Sequence, residues 1–151
     1  KIAIIDGITV TSLKDRTDGF MNKIKDTDIE VVAEQQTAHA RDTALASAEN
    51  ILQAHPDIDA FVGVNENSGM AILSAATSAG LSDLYITTVD ATAENMSAIR
   101  DGKVAIGVEQ AIKWYQGEEP EEFIEVPVEY MDKENIQDFI DREKGYGVEV
   151  E

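Results

Sequence analysis

Residues Ile51 to Ala75 read ILQAHPDIDAFVGVNENSGMAILSA, and three periodicities follow one another within them. Ile51 and Leu52 close an apolar stripe at helical spacing. The stripe stops before His55-Pro56, because proline disfavours helix in the residue that precedes it. Ile58 to Val64 is a short apolar run of strand length, and it ends on the amide of Asn65. Gly69, Met70, Leu73 and Ala76 return to helical spacing, which runs out at Ala79-Gly80, a pair that signals a helix C-terminus. Helix, buried strand and helix with short links make the repeating unit of a parallel sheet covered on both faces.

The same alternation extends in both directions. Lys1–Asp6 (KIAIID) reads as a first strand, followed by a helical stripe of Leu13, Arg16/Thr17, Phe20, Met21 and Ile24. Asp28–Ala33 (DIEVVA) reads as a second strand, with Ala44, Leu45, Ala48, Ile51 and Leu52 on the helix after it. Leu84–Val89 is the fourth strand. Thr92 is placed to cap the next helix, with Glu94 near its positive end and Met96 and Ile99 turned inward. Asp101-Gly102 closes that helix, and Val104–Val108 is the fifth strand. Beyond Gln110 come a short helical piece at Ala111–Gln116, a proline-bearing strand at Phe123–Tyr130 of edge character, and an amphipathic helix at Lys133–Arg142. The expected fold is α/β: a three-layer α/β/α sandwich around a mainly parallel, five-stranded, flavodoxin-like sheet, with an extra C-terminal strand.

Composition narrows the function classes. The net charge of −18 argues against nucleic acid, whose binding rests on Lys and Arg neutralising phosphates, and against an anionic membrane surface. Residues Gly117 to Glu151 alone hold 13 acidic and 3 basic residues, a solvated and solubilising surface. No cysteine is present, so disulfides, thiolate catalysis and cysteine-based zinc sites are excluded. No apolar run approaches the roughly 18 residues of a membrane span. No basic segment with an apolar core opens the chain, so a secretion signal is not expected within it.

In open parallel sheets, ligands bind beyond the carboxyl ends of the strands. Asp6, Thr9, Thr11 and Arg16 follow the first strand here, and His39 and Arg41 the second. Asn65 and Glu66 follow the third, Asp90 the fourth, and Glu109 and Gln110 the fifth. Such a set suits a neutral polyol: a carboxylate accepts two hydroxyl protons, a guanidinium donates in a fork, and amides do both. Each residue alone is equally explained as a helix cap or loop polar group, Asp90 included. Catalytic readings find less support. There is no G-x-S-x-G elbow, no P-loop, and no EF-hand spacing in Asp132–Asp141. A phosphoacceptor receiver shares the topology but needs an acidic cluster after strand one and an aspartate ending strand three; here Asp6 stands alone and strand three ends in Asn65. No enzymatic activity, metal or cofactor is expected.

Three stretches, KIAIIDGITVTSLKDRTDGF, ILQAHPDIDAFVGVNENSGMAILSA and TTVDATAENMSAIRDGKVAIGVEQ, together resemble the sugar-binding periplasmic proteins of the ribose-binding type. The effector domains of lactose-repressor-like regulators share that fold, and VPVEYMDKENI resembles the family's closing strand. The resemblance implies a two-lobed clamshell with sugar between the lobes. This chain matches the C-terminal lobe and lacks the N-terminal one. Residues 1–110 then form the ligand-binding lobe, and 111–151 a truncated crossover helix, edge strand and acidic tail of the same domain. It further implies that Arg16, Asn65, Asp90 and Gln110 contact the sugar. His39 and Val89 stand where relatives stack aromatic rings; histidine can stack and valine cannot. The implied partners are a small carbohydrate or polyol, the missing lobe and an ABC permease, in a periplasmic or cell-surface setting. A regulator's effector-binding domain and an isolated lobe without retained ligand function are the alternatives.

Overall fold

The computed structural model describes residues 1–6, 10–38, 40–90, 92–106 and 132–145. His39, Gln110, the helical piece at 111–116, the strand at 123–130 and the tail from residue 146 lie outside the described residues. The chain divides into two compact units, 1–89 and 90–151.

The first unit alternates strand and helix: β1 (Ile2–Asp6), α1 (Thr11–Ile24), β2 (Val31–Gln36), α2 (Arg41–Ala54), β3 (Ala60–Gly63), α3 (Glu66–Ser78) and β4 (Tyr85–Thr88). Its strands lie in the order β2-β1-β3-β4, and every pairing is parallel. From β1 the chain steps one way to reach β2, then the other way to reach β3 and β4. Right-handed crossovers therefore set α1 on one face and α2 and α3 on the opposite face, the three-layer arrangement expected. Every residue of β1 is buried, because it is flanked by strands on both sides and helices on both faces. On the α1 face Ile4, Leu13 and Val64 form a core cluster joined by Phe20, Val31 and Val62. Side chains such as Ile4, Ile5, Phe61 and Ile72, all shut off from water, contribute about 1.5–3 kcal/mol each.

The second strand lies three residues later than its apolar pattern suggests. DIEVVA gives way to VVAEQQ, and Glu34, Gln35 and Gln36 are exposed. The cause is position: β2 has β1 as its partner, and the register Ala3↔Ala33 to Asp6↔Gln36 is held by backbone groups that are indifferent to side-chain polarity. An edge strand can thus run on into polar residues where a central one cannot. Of the α1 stripe, Leu13, Thr17 and Ile24 are buried, whereas Met21 is exposed. The α2 helix ends at Ala54, just before His55-Pro56. The α3 helix ends with Gly80 at φ 71°, where the Gly80 and Leu81 N–H groups bond the Thr77 and Ala76 carbonyls.

The second unit contains α4 (Ala93–Arg100), β5 (Ala105–Ile106) and α5 (Ile136–Gly145). Met96 and Ile99 of α4 are buried as their spacing predicts, and α4 packs against α5, whose Ile136 and Ile140 are buried. Thr92 caps α4, its hydroxyl accepting the Asn95 N–H at 3.3 Å. Asp132 starts the turn into α5 by accepting the Glu134 N–H at 2.8 Å.

Packing is close where α3 meets the ends of β3 and β4. A Cβ at Gly63 would lie 2.6 Å from the Gly69 nitrogen, and one at Gly69 would lie 2.4 Å from the Thr88 Cβ. Nothing lies within 4 Å of a Cβ at Gly19, inside α1. Gly69→Ala should therefore lower stability by about 2–3 kcal/mol through overpacking. Gly19→Ala should raise it by up to about 1 kcal/mol through helix propensity. Urea titrations of the two variants check the opposite signs.

Candidate functional site

Parallel pairing carries the ends of β1 to β4 to one edge of the first unit, and the polar residues there are held by the backbone around them. Asp6 ends β1 and is buried; its carboxylate accepts the Thr17 hydroxyl at 3.3 Å, and its carbonyl accepts the Thr37 hydroxyl at 2.8 Å. Thr37 follows β2 directly, and its own carbonyl accepts the Thr43 hydroxyl at 2.8 Å. These contacts tie α1, β1 and the start of α2 together at the sheet edge.

Arg16 projects from an exposed position on α1, and its guanidinium donates to the Val64 carbonyl at 3.0 Å. Val64 immediately precedes Asn65, which is buried and caps α3 by accepting the Ser68 N–H at 2.9 Å. The Asn65 carbonyl in turn accepts the Gly69 N–H at 3.0 Å and the Thr88 hydroxyl at 3.3 Å. The structure thus brings Arg16 and the Asn65 segment together, although 48 residues separate Arg16 from Val64. A guanidinium carries five donors, so one bond to a carbonyl orients the group without exhausting it.

Asp90 begins the second unit and is exposed, with φ 83°. Its carbonyl accepts the Asn95 Nδ2 at 2.8 Å. The N-cap of α4 is Thr92, so the helix-cap explanation of Asp90 gives way to a backbone role for its carbonyl. Among the described residues, only Ala38 and Asp90 are non-glycines with positive φ, and they follow β2 and β4 respectively. Such strain costs about 1–3 kcal/mol and gathers at functional positions. His39 and Gln110 lie outside the described residues.

Sequence periodicity placed Thr17 on the α1 stripe without assigning its hydroxyl a role, and it did not single out Thr37, Thr88 or Asn95; all four are buried. Threonine at the end of an apolar run reads as an ordinary β-branched strand former, and its hydroxyl leaves no mark on the pattern. The shifted ionisations lie elsewhere. Lys14 is raised by its hydrogen bond to Asp18, and Asp101 is held below the usual carboxylate range by Lys103. Both are exposed pairs that add little to stability. Among the described residues no helix is long and apolar enough to cross a membrane, and no cluster of His, Asp and Glu is arranged to hold a metal ion.

A family model described as "Periplasmic binding protein domain" matches residues 1–134. The ribose import binding protein RbsB of Escherichia coli (strain K12) is 32% identical over 111 residues, covering 73% of this chain and 38% of that protein. The D-ribose/D-allose-binding protein of Pseudomonas aeruginosa is 25% identical over 149 residues, covering 87% of this chain and 47% of that protein. A solved ABC transporter solute binding protein from Bacillus halodurans C-125, with bound myo-inositol, is similar at a TM-score of 0.74 and 25% identity. That likeness covers 91% of this chain and 53% of the other. The chain spans less than half the length of these two curated relatives.

The capping role of Asn65 can be measured directly. Asn65→Ala should cost about 1 kcal/mol by leaving the first turn of α3 uncapped, whereas Asn65→Asp keeps an acceptor for the Ser68 N–H and should cost less than about half of that. Chemical denaturation of both variants measures the difference.

Proposed function

The chain belongs to the periplasmic binding protein domain family, and on that premise we propose that it is the carbohydrate-binding lobe of a solute-binding protein that serves an ABC transporter. Its ligand is a small polyol of the pentose, hexose or inositol class, held at the carboxyl ends of the parallel strands by Arg16, His39, Asn65, Asp90 and Gln110. The protein binds and releases its ligand without catalysing a reaction, and it acts in the periplasm or at the cell surface. A second lobe completes the site, and closure of the two lobes over the sugar forms the surface that an ABC permease reads.

The observation that carries this reading is the Arg16–Val64 hydrogen bond, which sets a guanidinium fork beside the Asn65 segment. A forked cation beside an amide matches vicinal hydroxyls, which offer paired acceptors and donors at fixed spacing. The ligands for which the relatives are named or with which they were solved, ribose, allose and myo-inositol, are all of this kind.

One lobe supplies part of the contact surface, and affinity scales accordingly. If the two-lobed protein binds at about 1 μM, or −8 kcal/mol, a lobe providing half retains about −4 kcal/mol, near millimolar. Calorimetry with D-ribose, D-allose and myo-inositol should therefore give micromolar binding of one of them to the two-lobed protein, and binding about a thousandfold weaker to this chain alone. Asp90→Gly removes a charged acceptor and should weaken the two-lobed protein about 10–100-fold. It should also raise stability by up to about 1 kcal/mol, because glycine accepts positive φ without strain. Tight binding of none of the three sugars, or an Asp90→Gly variant that binds like the parent, would contradict the proposal.

A further inference from the structure

We infer that Asn95 is a positioning residue, whose buried amide locks the Asp90 backbone in its left-handed conformation and so aims the Asp90 carboxylate at a polyol. The inference rests on the reading of Asp90 as a ligand residue and adds the device that orients it.

Three observations converge on this turn. Asp90 is exposed and carries φ 83°, a conformation that an aspartate adopts only against a steric penalty. Asn95 is wholly shut off from solvent, and its Nδ2 donates to the Asp90 carbonyl at 2.8 Å. The Asn95 backbone N–H is given to the Thr92 hydroxyl at 3.3 Å, so residue 95 grips the turn by its side chain and by its main chain.

The residue type is informative. Third in the helix after a threonine cap, glutamate or glutamine is the common choice, reaching back to the N–H of the cap residue. A carboxylate there has no proton to give to a carbonyl, whereas an amide has. A buried amide is also costly unless bonded, so the bond to Asp90 is strongly favoured once α4 forms. Rotating residue 90 back to negative φ would swing its carbonyl away from Nδ2. Holding that carbonyl therefore also holds the direction in which the Asp90 Cβ leaves the chain. The carboxylate is aligned before ligand arrives, and less ordering is left to binding.

A double-mutant cycle in the two-lobed protein tests this, with D-ribose, D-allose and myo-inositol as calorimetric probes and stoichiometry reporting the folded fraction. Asn95→Ala should weaken binding about tenfold in the parent background. In the Asp90→Gly background, with no carboxylate left to aim, it should weaken binding less than about twofold. Asn95→Ser, whose hydroxyl is shorter than the amide, should behave like the alanine and serves if the alanine variant folds poorly. Parent-like affinity of the Asn95 variants, or the same loss in both backgrounds, would reduce Asn95 to a structural start for α4 and overturn the inference alone. A parent protein that binds none of the three probes would overturn the ligand reading of Asp90, and the inference with it.

Discussion

The edge of the first unit where its parallel strands end depends on one close approach, that of the first turn of α3 to the ends of β3 and β4. Gly63 meets the backbone of Gly69, and Gly69 meets the side chain of Thr88, at separations that leave no space for a Cβ. With α3 drawn in this far, the carbonyl of its cap residue comes within reach of the Thr88 hydroxyl, and Asn65 is buried yet stays at the sheet edge. The Val64 carbonyl is presented at the same edge, and it is what Arg16 binds. A helix held even one methyl group further out would loosen these glycine contacts and the Thr88–Asn65 hydrogen bond together.

Four buried polar side chains follow one logic: each serves a neighbouring backbone group or carboxylate. Thr37 bonds the Asp6 carbonyl, Thr88 the Asn65 carbonyl, Asn95 the Asp90 carbonyl, and Thr17 the Asp6 carboxylate. Buried polar groups are costly when unpaired, so such bonds define one conformation at each strand exit. Fixed hydrogen-bonding groups suit the proposed recognition of a polyol, whose hydroxyls differ by position rather than by charge. The two strained non-glycines, Ala38 and Asp90, each follow the end of a strand along the chain, β2 and β4 respectively.

Much of this was legible from residue patterns. The C-terminal ends of α2 and α3, the α4 cap at Thr92 and the order of strands and helices along the chain follow from proline, glycine and apolar spacing, all local signals. The second strand was misplaced by three residues because its location comes from pairing with β1 rather than from its own side chains. Asp90 looked like a cap because an aspartate before a helix commonly is one; the Thr92 hydroxyl holds that place, and Asp90 engages through its carbonyl. Arg16 and Asn65 were both identified, but their proximity through Val64 is a long-range fact that no periodicity encodes.

By itself, the sequence determined a parallel α/β chain whose strands end in hydrogen-bonding residues, because strand and helix periods and chain punctuation are local properties. Only the tertiary structure decided which of those ends are joined, which threonines hold them, and that Asp90 sits at positive φ with its carbonyl bound by Asn95. Those outcomes depend on close approach and on hydrogen bonds between groups whose alignment is created by packing, and packing exists only once the chain has folded.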